Sequence, residues 1–344
     1  MLNYTSPLAP DGNPWGITLL RNAQGMTVTL MDWGATWLSA RVPMKDGSVR
    51  EALLGCDNPA DYLRQRAYLG ATIGRYANRI AEAKLKRTGR MLTANQGIHQ
   101  LHGGKTGFSH RRWQTLWQQQ QDVFYQIISP DGDQGFPGNL RATVQYRLED
   151  NNTLTILWQA WVDQPCPVCL TNHAYFNLDA TQGDARQHQL QLLASRYLPV
   201  DSNGIPCRDL QPVAGTSFDF RHPKSIARDF LADSDQQVVN GYDHAFLLNA
   251  AGDINQNAAV LTSADSRLQL SLATTAPAMQ LYSGNHLQGT PGRNRTAWNA
   301  FSGIALESQF LPDSPNHPEW PHADCWLQPG DGYRCTTRYR FASY

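Results

Sequence analysis

The chain has 344 residues, of which 41% are hydrophobic, so it is long enough and apolar enough to bury a substantial core. Only 17% of the residues are charged, and 29 Lys and Arg balance 29 Asp and Glu. A neutral chain without a basic run does not suit a nucleic-acid or anionic-membrane partner, so we expect a small-molecule ligand that is uncharged or charged only locally.

Apolar residues alternate with polar ones through most of the chain, beginning near the N-terminus. Residues 26–30 and 33–42 predict the first strands. Residues 140–148 and 154–162 each carry a continuous apolar face on either side of a polar turn, which predicts an antiparallel hairpin. Further short strands are predicted at 190–192 and 268–272. Helical periodicity is weak and limited to short pieces such as residues 58–66.

Turn-forming residues support the same fold class. The 27 glycines and 20 prolines occur at close intervals, as in many-stranded β proteins, and there is no repeat or flexible linker. The sequence therefore predicts an all-β protein, a large antiparallel β-sandwich in a single domain over residues 1–344. Ten Trp and thirteen Tyr hint at stacking on sugar rings, although filling the core of a large sandwich explains most of them equally well.

Cysteine usage and the first residues bear on the compartment. Six scattered cysteines are typical of reduced thiols in a cytoplasmic protein. Residues 1–7 have neither the basic nor the apolar region of a signal peptide. No apolar run approaches the roughly 18 residues that a membrane span needs. We therefore expect a cytoplasmic protein without a membrane partner.

Two distant residues are the best candidates for acid–base chemistry. His173 lies in the segment Thr-Asn-His-Ala-Tyr-Phe-Asn, and Glu307 in Ala-Leu-Glu-Ser-Gln-Phe-Leu-Pro-Asp. A histidine and a carboxylate, each within an apolar and aromatic stretch, could move two protons on a neutral substrate such as a sugar. A buried structural ion pair would give the same pattern.

Three other segments carry groups that suit hydroxyl binding. Arg75 and Arg79 lie in Gly-Arg-Tyr-Ala-Asn-Arg-Ile, and a guanidinium can donate to neighbouring hydroxyls or pair with a structural carboxylate. His102 precedes two glycines, in a turn that lets backbone approach a ligand, although by itself this pattern fits a structural turn histidine better. Asp243, in Gly-Tyr-Asp-His-Ala-Phe, is either a ligand for a sugar diol or a turn cap.

The sequence shows no pattern for a metal, a phosphate or a covalent nucleophile. Cys166 and Cys169 are three residues apart, but no second cysteine or histidine pair lies at ligand spacing. Residues three apart on a strand also face opposite sides. There is no glycine-rich phosphate loop, nucleophile elbow or His-Glu-x-x-His helix. We therefore predict neither a metal nor a cofactor.

In their order along the chain, these segments resemble the galactose mutarotase (aldose 1-epimerase) family, and most closely its enterobacterial members. Gly-Phe-Pro-Gly at 135–138 and Gln-Leu-Tyr-Ser-Gly-Asn at 280–285 extend the match to nearly the whole chain. The resemblance implies a large antiparallel β-sandwich. It also implies an enzyme of galactose metabolism that interconverts the α and β anomers of free aldohexoses, such as galactose and glucose, through the open-chain aldehyde.

The resemblance also implies roles for individual residues. His173 would be the general acid that protonates the ring oxygen, and Glu307 the general base that takes the anomeric proton, with the roles exchanged on ring closure. An ordinary imidazole pKa of about 6.5 and an ionised carboxylate would suit these roles near neutral pH. The substrate-binding residues that it implies are Asn78, Arg79, His102, Tyr175, Asp243, Gln280 and, through its shared motif, Arg75.

One position departs from the family pattern. After Ser-Gly-Asn at 283–285 the family usually carries Phe, whereas this chain has His286. If that side chain faces the pocket, an apolar wall becomes titratable. The implied partner is a free aldohexose, and the protein is expected to be a monomer or a homodimer.

Three alternatives remain open. An epimerase for a 6-phosphorylated hexose would need basic residues near the C6 end of the pocket. A non-catalytic carbohydrate-binding protein could use the same fold, although intact His173 and Glu307 argue against it. A retaining glycosidase would need two carboxylates about 5–5.5 Å apart.

Overall fold

The computed structural model describes residues 8–179 and 183–344, and most of its elements are strands. In chain order the strands are β1 (Ile17–Arg21), β2 (Thr27–Met31), β3 (Thr36–Pro43), β4 (Val49–Glu51), β5 (Thr72–Ile73), β6 (Arg79–Ile80), β7 (Lys84–Leu85), β8 (Arg90–Met91), β9 (Gln100–Leu101), β10 (Gln114–Gln119), β11 (Asp122–Ser129), β12 (Leu140–Leu148), β13 (Thr153–Val162), β14 (Cys166–Pro167), β15 (Thr171–Asn172), β16 (Tyr175–Phe176), β17 (Gln189–Leu192), β18 (Ala194–Leu198), β19 (Gln211–Pro212), β20 (Lys224–Ser225), β21 (Asp243–Leu248), β22 (Ala259–Thr262), β23 (Leu268–Thr274), β24 (Ala278–Tyr282), β25 (Thr290–Pro291), β26 (Ala297–Trp298), β27 (Ile304–Gln309), β28 (Trp326–Leu327) and β29 (Tyr333–Ser343).

Helical structure is confined to short pieces. The described residues contain one α-helix, α1 (Ser234–Val238), and short 3-10 helices at Pro59–Leu63, Ala81–Ala83, Phe108–His110, Asp133–Gly135, Ala185–Gln187 and Ser314–Asn316. Within the described residues, no helix is both long and apolar enough to cross a membrane.

Three sheets make up the body of the fold. One has nine strands in the order β10-β11-β12-β13-β29-β23-β22-β17-β20, and one has six in the order β16-β27-β24-β21-β18-β19. The third has four strands in the order β1-β2-β3-β4, and every pairing in these three sheets is antiparallel. The predicted all-β fold of large antiparallel sheets is confirmed.

The predicted hairpin forms the centre of the nine-stranded sheet. Strand β12 pairs with β13 in a register that sets Val144 opposite Trp158. The alternate residues from Leu140 to Leu148 and from Leu154 to Val162 are buried on one face, as the period-two pattern predicts.

One apolar core joins the three sheets. Buried residues of the nine-stranded sheet, such as Leu272 and Tyr339, belong to the same cluster as Phe246 and Leu306 of the six-stranded sheet. Trp37 on β3 connects all three, because its ring lies 5.3 Å from that of Tyr339 and about as close to that of Phe176 on β16. A large buried aromatic at such a junction fixes how the sheets pack.

The opposite face of the six-stranded sheet is polar. Along β27, Leu306 points into the core, so its neighbour Glu307 points to the other side. Glu307 pairs in register with Gln280 on β24, and Tyr282 on β24 pairs with Asp243 on β21. The sheet therefore collects the predicted Glu307, Gln280 and Asp243, together with Tyr282, on a single face.

Candidate active site

A cavity of about 320 Å³ lies over this polar face, a size suited to a small ligand. Seven of the nine predicted site residues line it, namely Asn78, Arg79, His102, His173, Tyr175, Asp243 and Glu307. Segments far apart in the sequence meet here because loops from several sheets close over β16, β21, β24 and β27.

His173 and Glu307 are neighbours in this cavity. His173 lies in the bend between β15 and β16, where its main chain bonds to Ala71 and Gly70. Its Nε2 is 3.5 Å from Oε1 of Glu307, and both side chains are almost fully buried. Nδ1 of His173 and Oε2 of Glu307 have no hydrogen-bond partner among the described residues, so the pair retains unused polar atoms for a ligand.

Burial shifts both groups away from their charged forms. It lowers the pKa of His173 to about 4, which backbone hydrogen bonding and the charge of Asp243 only partly oppose. It also raises the pKa of Glu307 well above its usual range, and the nearby Asp243 charge adds to this rise. The ordinary pKa values expected from sequence therefore do not apply. Burial thus favours neutral His173 with protonated Glu307 over the ion pair.

His102 and Asn78 hold each other in strained conformations. Both have positive φ angles, 52° for His102 and 65° for Asn78, which non-glycine residues rarely adopt. The N–H of His102 donates to the Asn78 carbonyl, and the N–H of Asn78 donates to Nδ1 of His102. Gly103 permits this turn, because a Cβ there would lie 1.9 Å from the Gly74 carbonyl oxygen.

The contact with Asn78 fixes the tautomer of His102. Because Nδ1 accepts a hydrogen bond, the neutral ring carries its proton on Nε2. Burial lowers the pKa of His102 well below its usual value, so the ring stays neutral. His102 therefore offers the cavity one hydrogen-bond donor and no free lone pair on Nε2.

This tautomer bears on metal binding. His102, His173 and Glu307 each bring one ligand-type atom within 4.8 Å of the others, the only such cluster in the described ranges 8–179 and 183–344. A metal would need the lone pair of His102 Nε2, and the hydrogen bond from Asn78 to Nδ1 opposes that tautomer. The cluster is better suited to holding hydroxyls.

Asp243 is held by a small polar network. Its carboxylate accepts a hydrogen bond of 2.6 Å from the amide of Gln280 and lies 3.7 Å from the Arg79 guanidinium. Nε of Arg79 donates to Gln96. Gln280 itself is buried behind Asp243 and does not line the cavity, so it positions the carboxylate.

Aromatic side chains form one wall, and two of them were not predicted. The ring of the predicted Tyr175 stacks 4.9 Å from that of His173. Tyr68 lies 4.7 Å from the His102 ring and 6.0 Å from the His173 ring, and Tyr282 lies 6.0 Å from Tyr175. Tyr282 falls within a recognised motif, whereas no local pattern marks Tyr68.

Arg75 does not reach the cavity, which corrects the prediction that it binds substrate. It is 2% exposed, and its guanidinium donates to the carbonyls of Ser129, Pro130, Pro137 and Gly138 and to the Ser129 hydroxyl. These five hydrogen bonds use all five N–H donors of the guanidinium. Arg75 is therefore a structural residue that fixes the loops behind the site.

Cysteines contribute nothing to the cavity. All six are free thiols, and Cys166 and Cys169 are buried. Burial raises the pKa of Cys166 to about 11 and that of Cys169 to about 12, so neither is a thiolate near neutral pH.

The fold and the site together define a class: an all-β protein with a buried His–Glu pair under a polar, aromatic-walled cavity. A family model described as aldose 1-epimerase matches residues 17–340. The chain is 60% identical to the aldose 1-epimerase of Escherichia coli over 99% of both chains, and 38% identical to the galactose mutarotase of Mus musculus over 94% of this chain and 93% of that one. A solved aldose epimerase homologue from C. elegans superposes with a TM-score of 0.88 at 30% identity, covering 96% of this chain and 99% of that one. The chain belongs to the aldose 1-epimerase family.

Proposed function

We propose that this protein interconverts the α and β anomers of free aldohexoses, with galactose and glucose as substrates. The observation that carries the proposal is the distance of 3.5 Å between His173 Nε2 and Glu307 Oε1 on the floor of the cavity. A hemiacetal carbon bears both the ring oxygen and the reacting hydroxyl. An acid and a base that serve these two oxygens must therefore lie close together.

The proposed reaction uses both groups in each half. His173 donates a proton to the ring oxygen while Glu307 accepts the proton of the anomeric hydroxyl, and the bond from C1 to the ring oxygen breaks. The product is an open-chain aldehyde. Rotation about the bond between C1 and C2 presents the other face of the carbonyl. On closure, the former ring oxygen attacks C1 and loses its proton to His173. Glu307 returns its proton to the carbonyl oxygen, which becomes the new anomeric hydroxyl.

The electrostatics of the site support this sequence. Ring opening leaves His173 neutral and Glu307 protonated, and burial favours this same state in the free site. The open-chain intermediate therefore forms beside a pair whose protons are already in their preferred positions. Ring opening of the bound cyclic sugar needs protonated His173 and ionised Glu307. The transfer of one proton from Glu307 to His173 provides this state.

Surrounding groups would hold the sugar in place. Nε2 of His102 donates, Asp243 accepts from neighbouring hydroxyls, and Arg79 and Asn78 complete the polar wall. The stacked Tyr175 suits the C–H face of a sugar ring. Binding energy is thus directed to orientation, which can lower the barrier as much as the proton transfers do.

Several broader features belong to the same proposal. We infer that the chain acts as one domain over residues 1–344, as a monomer or homodimer, in the cytoplasm and in galactose metabolism. Galactose is named in the relative from Mus musculus. The proposed partner is a free sugar alone, and no step above requires a metal or cofactor.

Polarimetry that starts from pure α-D-galactose tests the proposal. We expect the wild-type protein to accelerate equilibration, and Glu307→Gln and His173→Asn each to lower kcat/KM at least about 10²-fold. Glu319→Gln and His222→Asn are matched controls outside the cavity and should behave like wild type. Near-normal rates in either cavity variant would overturn the assigned roles.

A further inference from the structure

The mouth of the cavity has a different character from its floor. Arg66 and His286 line this cavity, and both are exposed at its outer end. His286 thus occupies the pocket at the position where the sequence departs from the family pattern. Glu307, His173 and His102 are buried at the inner end.

The groups at the mouth are mainly hydrogen-bond donors without partners. Neither the Arg66 guanidinium nor the His286 ring makes a hydrogen bond or ion pair to any residue in the ranges 8–179 and 183–344. The backbone N–H of His286 donates to the Tyr282 hydroxyl. Gln96 accepts from Arg79 through its carbonyl oxygen, which leaves its amide N–H groups for a ligand. The guanidinium of an arginine has donors and no acceptor atom.

The carboxylates lie at the other end. Glu307 is buried at the inner end. The half-buried Asp243 accepts a hydrogen bond from Gln280, the neighbour of Glu307 in the sheet, and pairs with Arg79. An anionic group on a ligand would be repelled by the Asp243 carboxylate, which lies towards this floor, and attracted by Arg66 at the mouth. The site therefore has an electrostatic direction along its depth.

We propose that the mouth, formed by Arg66, His286 and Gln96, is a subsite for an anionic substituent at the end of an aldose distant from C1. The inference rests on the proposed function, because that function places C1 at the floor. It extends the substrate class from neutral hexoses to aldoses that carry a carboxylate or a phosphate, such as hexuronic acids and hexose 6-phosphates. The basic residues that the 6-phosphate alternative requires are thus present beside a complete free-sugar site.

Substrate comparison tests the subsite. The rates of anomer exchange for galactose, galacturonate and galactose 6-phosphate are measured by NMR, and each anionic kcat/KM is divided by the value for galactose. We expect Arg66→Ala to lower this ratio at least about threefold and His286→Phe to lower it in the same direction. Raising the ionic strength from about 0.02 to 0.5 M should reduce the wild-type ratio, because both basic groups are exposed.

A matched control lies two residues away. Arg64 is 73% exposed, is paired with Asp61 and does not line the cavity, so Arg64→Ala should leave the ratio unchanged. The subsite prefers the carboxylate or the phosphate according to which anionic sugar has the larger kcat/KM ratio to galactose and loses more of it in Arg66→Ala. Normal galactose turnover with ratios that Arg66→Ala and His286→Phe do not alter would overturn the subsite and leave the proposed function standing.

Binding separates the two proposals further. Calorimetric titration of the wild type and of Arg66→Ala with galacturonate and with galactose requires no turnover. If the wild type failed to accelerate galactose equilibration, the proposed function would fail. A preference for galacturonate that is lost in Arg66→Ala would still support the anionic subsite, and equal affinities in both proteins would refute it.

Discussion

Lowering the pH should leave His173 uncharged far below the pH at which an exposed imidazole titrates. Burial lowers its pKa to about 4, because the charged ring would lose its hydration inside the cavity. At pH 5 a ring with this pKa is only about 9% protonated, whereas a ring with the ordinary value of 6.5 is about 97% protonated. The two outcomes differ roughly tenfold in charged fraction.

The lowered pKa of His173 also makes the free energy of unfolding depend on pH. The folded-state pKa lies below the unfolded value, so between the two values the unfolded chain binds more protons than the folded protein does. The contribution of neutral His173 is therefore complete above about pH 6.5 and is lost as the pH falls through about 4. The difference corresponds to about 3 kcal/mol of unfolding free energy.

NMR titration of protein labelled at the histidine Cε1 carbon measures this pKa, and the signal missing from His173→Asn identifies the residue. Glu307→Gln provides a second comparison. If Glu307 is protonated at rest, its removal leaves the pKa of His173 within about half a unit; an ionised Glu307 at 3.5 Å would instead have raised that pKa. A wild-type value near 6.5, or a marked fall in Glu307→Gln, would refute the neutral pair.

Three further predictions follow from the site and its support. Asp243→Asn should raise KM for galactose about tenfold or more in steady-state polarimetry, because hydrogen bonds to a charged acceptor are lost; an unchanged KM would remove Asp243 from the binding set. Arg75→Met should lower the unfolding free energy in urea by about 3 kcal/mol or more, because buried carbonyls lose their donor. The folded fraction of Arg75→Met should keep kcat/KM within a few-fold of wild type, and a loss like that of Glu307→Gln would restore a direct role. EDTA should leave activity unchanged, and a loss that added metal reverses would contradict the tautomer assigned to His102.

Much of the fold was accessible from sequence because strand alternation is a local signal. In the hairpin from Leu140 to Val162 the predicted apolar face is buried, since its apolar residues lie two positions apart. Which strands become neighbours in the sheets is a non-local property. No local pattern shows that β23 and β29 pair, or that Trp37 joins three sheets.

The candidate site divides in the same way. His173 and Glu307 were predicted from residue type and family motifs, and the structure places them 3.5 Å apart. The prediction that Arg75 binds substrate was wrong because a motif does not show which way each of its side chains points. Tyr68 was missed because its place beside His102 and His173 depends on contacts between segments far apart in the sequence. The shifted pKa values were also inaccessible, since they depend on burial rather than on neighbours in the chain.

The fate of the anomeric oxygen shows directly which bond at C1 the enzyme breaks. Galactose labelled with ¹⁸O at O1 and ¹³C at C1 is equilibrated with the enzyme, and the isotope shift of C1 is followed by NMR. Ring opening by His173 and Glu307 breaks the bond from C1 to the ring oxygen, so we predict that the label survives many anomer exchanges and is lost only at the rate seen without enzyme. Loss of the label at the rate of anomer exchange would show that the bond from C1 to O1 breaks, as in a retaining glycosidase, and would contradict ring opening by His173 and Glu307.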